Sequence, residues 1–124
     1  MDAMDPRHVA ARYVAAWNET DPDRRRALVS ALWAEDATYS DPVMQGEGHG
    51  SIEALIAGVQ ARFPDFRFAV SGRPDGYGDR LRFAWDFGPE GGEAVMQGTD
   101  FATLAGDGRL QAVVGFLDRV PSAA

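Results

Sequence analysis

The chain has 124 residues, 45% of them apolar, 25% charged and 10% aromatic, which supports one packed core and excludes disordered, collagen-like and low-complexity architectures. Its 12 basic residues are outnumbered by 19 acidic ones, leaving a net charge of −7, so there is no basic stripe to replace counterions on phosphate and nucleic acid is not an expected partner. There is no cysteine and there are two histidines, His8 and His49; disulfides, thiolate catalysis and His- or Cys-rich metal sites fall away, and neither a metal nor a cofactor is expected.

No segment approaches the 18 or so consecutive apolar residues of a membrane span. The first ten residues, MDAMDPRHVA, carry Asp2 and Asp5 and no apolar run, so no secretory signal is expected and the cytoplasm is the expected compartment. Asp5 and Pro6 read as an N-cap and first helical residue, with Val9, Tyr13, Ala16 and Trp17 on one face of the helix that follows. Asp21 and Pro22 repeat that start, and Leu28, Ala31 and Leu32 form the second helix's stripe; the Arg24, Arg25, Arg26 cluster, flanked by Asp21 and Asp23, reads as a solvated face. Ala37, Tyr39 and Asp41 alternate as a short strand stopped by Pro42, and residues 46–50 read as a loop. Ser51 is placed to cap a third helix carrying Ile52, Leu55, Ile56, Val59 and Phe63, which ends before Pro64.

From Phe66 the period is two. Phe66, Phe68 and Val70 alternate, and SGRPDGYGD reads as a turn. Leu81, Phe83, Trp85 and Phe87 share a face of the next strand; residues 94–104 and 110–118 form the last two, joined by AGDGR. Three helices followed by a run of strands make the chain α+β, in one domain over residues 1–124 with 1–4 and 121–124 frayed.

Three polar residues stand out. Asp100 lies mid-strand on the face of Met96, Gly98 and Ala102, where a carboxylate is either turned to water or buried in a special environment that raises its pKa. Asp41 precedes Pro42, the pattern of a strand-ending turn, and can equally serve as a base at a pocket mouth. Tyr13 reads as a buried helix tyrosine whose hydroxyl finds a partner. The Phe83, Trp85, Phe87 stripe reads first as core, and second as one wall of a pocket left open by a sheet too wide for its helices.

The strings RYVAAWN (12–18), WAEDATYSDPV (33–43) and GTDFATLAGDGRL (98–110) together resemble the bacterial ketosteroid isomerases and, more broadly, the SnoaL-like, nuclear-transport-factor-2-like superfamily, over roughly residues 10–117. The resemblance implies a cone-shaped, barrel-like fold, with three N-terminal helices packed in a strongly curved mixed or antiparallel sheet, often dimerised through the sheet's outer face. Val113 and Leu117, opposite the face of Phe116, would supply the contact. It also implies roles for the three polar residues. Asp41 would take a proton from the carbon beside a carbonyl, while Tyr13 and a protonated Asp100 would donate to the developing enolate oxygen. Trp17, Met44, Phe83, Trp85, Phe87, Met96 and Phe116 would form the apolar wall around a small carbonyl-containing ligand. His49 would be a second titrating group or a plain loop residue.

Relatives within the superfamily separate on single letters. Limonene-epoxide-hydrolase-like members carry an Arg two residues before the strand Asp, where this chain has Gly98, and scytalone-dehydratase-like members use paired histidines. The polyketide cyclases require chiefly the strand Asp, which Asp100 supplies. An isomerase-like and a cyclase-like enzyme therefore both remain, beside a non-catalytic ligand-binding or assembly domain.

Overall fold

The computed structural model of the chain describes residues 4–121. Most of the expected fraying falls on residues 1–3 and 122–124, outside the described residues, whereas Met4 packs against the core. Helices α1 (Pro6–Asn18) and α2 (Pro22–Leu32) lead into β1 (Trp33–Ser40), β2 (Gln45–Glu47), α3 (Gly48–Arg62), β3 (Phe66–Tyr77), β4 (Arg80–Pro89), β5 (Met96–Leu104) and β6 (Leu110–Arg119). The strands form one curved, unclosed sheet in the order β2-β1-β6-β5-β4-β3, with β1 and β6 parallel and every other pair antiparallel. The architecture is the expected α+β one. No described helix is long and apolar enough to cross a membrane.

Local chemistry sets the first two helix starts as expected. The Asp5 carboxylate accepts from the Arg7 amide and the Asp21 carboxylate from the Arg24 amide, with Pro6 and Pro22 in the first turns. The stripe of α2 is shifted: Arg25, Val29 and Leu32 are buried, while Ala31 is exposed. Arg25 leaves the solvated face assigned to it because its guanidinium has three internal partners. These are the Glu53 carboxylate at 2.5 Å, the Gln60 side chain at 2.7 Å and the Glu19 carbonyl at 3.2 Å; Arg24 and Arg26 remain in water.

The expected loop at 46–50 is a strand and a helix start. β2 pairs with β1 across Tyr39 and Gly46, and α3 begins at Gly48, whose φ of 83° makes the sharp change of direction that only glycine makes without strain. Ser51 therefore lies inside the helix and caps nothing. Similarly, most of SGRPDGYGD belongs to β3: a register shift between Ser71 and Asp75 absorbs Gly72 and Pro74, and the turn contracts to Gly78 and Asp79.

A bulge also corrects the face of the last strand. Counted from the buried Leu110, strict alternation points Phe116 inward. Leu110 pairs with Leu104 and Ala112 with Thr103, so Gln111 is an extra residue and the parity flips. Val113, Gly115 and Leu117 face inward, and Val114 and Phe116 face outward. Phe116 is 56% exposed.

Candidate active site

The concave face of the sheet, α1 and α3 enclose a cavity of about 530 Å³, within the usual size of small-molecule sites. Each wall follows from the periodicity of its element. α1 presents Tyr13, Val14 and Trp17; α3 and its C-cap residue present Leu55, Val59 and Phe63; the strands present Phe68, Trp85, Phe87, Met96 and Leu117. Trp17 and Trp85 stand in the wall, each packed edge-on with the Phe68 ring, and do not fill the cavity. Their roles differ, since among the described residues the Trp17 indole N–H is buried without a hydrogen-bond partner, while that of Trp85 is used.

At one end the cavity becomes polar. Asp100, 2% exposed, accepts from the Tyr13 hydroxyl at 2.6 Å on Oδ2 and from the Trp85 indole at 3.1 Å on Oδ1. The water-facing alternative for Asp100 is thus removed. Trp85 reaches Asp100 because it lies opposite Gly98 and its ring occupies the place a Cβ would need there. Burial raises the Asp100 carboxyl to about 6, against the lowering effect of the two donors. Burial, with the charge of Asp100 next, holds the Tyr13 hydroxyl well above its ordinary value.

Asp41 sits just past the end of β1, where it both closes a turn and stands at the cavity. Its Oδ1 closes the turn, accepting from the amides of Val43 at 2.8 Å and Met44 at 2.9 Å, and its Oδ2 accepts from the Tyr39 hydroxyl at 2.6 Å. It also lines the cavity. The two acids approach each other across Gly115: a Cβ built there would lie 2.9 Å from Asp100 Oδ1, 3.2 Å from Asp41 Cβ and 3.5 Å from the Tyr39 hydroxyl. Tyr13, Asp100, Tyr39 and Asp41 therefore form one contiguous cluster. Burial, reinforced by the charge of Asp100, pushes the Tyr39 hydroxyl far above its ordinary value.

Of the residues singled out in the sequence, Tyr13, Asp41, Asp100, Trp17, Met44, Trp85, Phe87 and Met96 line this one cavity. Phe83 and Phe116 do not. Phe83 is 2% exposed and packs edge-on against the Tyr13 ring at 5.0 Å, beneath the cavity wall; Phe116 is on the far side of the sheet for the reason given above. His49 lies in the first turn of α3, with Nε2 2.7 Å from the Trp33 carbonyl, which makes that nitrogen the protonated one and the residue a fastener between α3 and β1. Tyr39 and Arg62 are polar cavity residues that sequence reasoning missed; for Arg62 no local pattern pointed to the cavity, whereas Tyr39 had one. The signal of Tyr39 was its place two residues before Asp41, on the same alternation face.

The SnoaL-like domain family matches residues 10–113. The chain is similar to a protein of Agrobacterium tumefaciens strain C58, provisionally named an isomerase of the SnoaL-like family. The two are 47% identical and superpose with a TM-score of 0.88 over 91% of this chain and 97% of that one. A chain from Jannaschia sp. CCS1, provisionally named a SnoaL-like polyketide cyclase, is 16% identical, with a TM-score of 0.68 over 95% and 91% of the two chains. A de novo designed protein with a curved β-sheet is 14% identical, with a TM-score of 0.72 over 95% and 88%. At those last identities the likeness concerns the fold alone. No curated protein sequence matches the chain significantly.

Proposed function

The chain belongs to the SnoaL-like domain family, and from that premise we propose that its cavity binds a small apolar carbonyl compound and moves a proton on the carbon beside the carbonyl. The observation that carries this reading is the convergence of Asp41, Tyr13 and Asp100 at one end of a largely apolar cavity. Asp41 is the base. It takes the proton from carbon; the C–H electron pair forms the C=C bond of the enolate, and the carbonyl pair moves onto oxygen.

Tyr13 meets that oxygen, with Asp100 behind it. The Trp85 indole is only a donor, so Oδ1 of Asp100 remains an acceptor, and a proton on Asp100 resides on Oδ2. From there it donates to the Tyr13 oxygen and frees the Tyr13 hydrogen for the ligand. A carboxyl titrating at about 6 holds that proton in part of the free protein near neutral pH, and a ligand that expels water from the cavity raises the fraction. Asp41 then returns its proton to another carbon, as in an isomerase, or the enolate carbon attacks a second carbonyl, whose bonding pair moves onto its oxygen and takes the proton from Asp41, as in a cyclase.

Small β,γ-unsaturated ketones test the chemistry directly through the absorbance of the conjugated product. The native chain should accelerate conjugation, and Asp41→Asn should lower the rate by at least about 100-fold. A rate that survives Asp41→Asn removes the assigned base. Binding of the ketones without turnover favours the second reading, a non-catalytic binding domain. Its support is that the Asp100 and Asp41 oxygens already have internal donors.

We also propose that two copies of the chain associate through the outer face of the sheet. Its exposed Phe101, Val114 and Phe116, adjacent across β5 and β6, supply the apolar contact; Val113 and Leu117, expected there from the sequence, face the other way.

A further inference from the structure

Arg62 is the one basic residue among those lining the cavity. Among the described residues it has neither an ion pair nor a side-chain hydrogen bond, and its guanidinium carbon lies 5.7 Å from the centre of the Phe63 ring. The helix places it there by spacing. Ala54, Gly58 and Arg62 recur every four residues of α3 and all three line the cavity; a Cβ added at Gly58 would meet nothing within 4 Å. The small residues leave the side open, and the cation stands at the end of the row.

That end is remote from the two acids. Phe63 packs on Phe87 at 5.4 Å, and Phe87 pairs with Met96, four residues along β5 from Asp100; at the strand rise this is about 13 Å. The helix gives a similar length. Leu55 stands over Gly46, beside the Asp41 turn, and Arg62 is two turns further on, about 10 Å.

Deepening the proposed function and resting on it, we infer that Arg62 binds the acid group of the ligand, which is an elongated, amphipathic oxo-carboxylic acid. Its ketone lies at Tyr13 and Asp100, and its carboxylate about 10–13 Å away at Arg62. The charges also fix the direction of entry. A carboxylate turned inward would meet Asp41 and Asp100, whereas outward it meets a guanidinium whose two parallel N–H groups match its two oxygens.

Calorimetric titration of the full chain with 9-oxodecanoic acid, its methyl ester and 2-decanone tests this. The expected result is a preference for the acid over the ester of about tenfold, shrinking as salt is added. In Arg62→Met, which keeps the apolar stem, the acid-to-ester ratio should fall to near one; Arg62→Lys should keep part of it. An unchanged ratio in Arg62→Met, or equal affinities in the native chain, overturns the assignment of Arg62. If ester and 2-decanone bind while the acid gains nothing, only this inference fails. If none of the three binds, the ketone-binding reading falls with it.

Discussion

Asp100 is costly to the fold and valuable to the site for the same reason. Its carboxyl rises from 3.8 to about 6 mainly through burial, so between those values the folded chain binds more protons than the unfolded one. Stability then falls as pH rises through the window: the neutral acid is accommodated below about 4, and the full cost of the buried charge is present above about 6. A shift of this size corresponds to about 3 kcal/mol as an upper limit. Asp100→Asn, which retains an acceptor for Trp85, should gain stability relative to the native chain by about 2 kcal/mol between pH 4 and pH 7, read from urea unfolding at each pH. A constant difference between the two proteins would mean that Asp100 titrates normally. At this scale the residue types were legible, and their state was not. The odd carboxylate on an apolar alternation face was visible in the sequence, but whether that face met water or Tyr13 depended on a helix 87 residues away in the chain.

At the scale of elements, periodicity carried most of the information and failed where an element contains one residue too many. Leu81, Phe83, Trp85 and Phe87 are buried together because β4 is regular. Pairing at both ends of the β5–β6 ladder is irregular, and Gln111 and the Ser71–Asp75 shift each upset a count that assumes a residue for a residue. The irregular start of β5 contains the least tolerant glycine near the site. At Gly98 a side chain would collide with the Trp85 indole and the Phe116 carbonyl. Gly98→Ala should cost about 1–3 kcal/mol in unfolding free energy and break the Trp85–Asp100 hydrogen bond, shifting the indole N–H resonance. Retention of that resonance and of native stability would show that the ring has room to move. No local pattern betrays such a glycine, because the atom it makes way for belongs to the neighbouring strand.

For the whole molecule, the sheet's outer face is the part of the surface whose exposure exceeds what its sequence pattern suggested. Phe116 and Val114 alternate with inward residues, yet 56% and 40% of their surface is open. If two copies meet here, Phe116→Asp should shift the sedimentation profile from dimer to monomer at micromolar concentration, with the cavity intact, since Phe116 does not line it. A native chain that sediments as a monomer removes the proposed contact. The two faces of β6 thus carry different residues, and only the bulge at Gln111 decides which of them point inward and which outward.

The sequence by itself determined the α+β class, both proline-led helix starts, the buried face of β4 and the residue types available for chemistry, because helix caps and side-chain alternation are written in short-range spacing. Tertiary structure alone decided that Tyr13, Tyr39, Asp41 and Asp100 form one cluster, that Arg25 turns inward, that Phe83 lies beneath the wall and Phe116 outside it, and that Arg62 faces the cavity. Each of these depends on which distant element packs where and on single-residue slips in register.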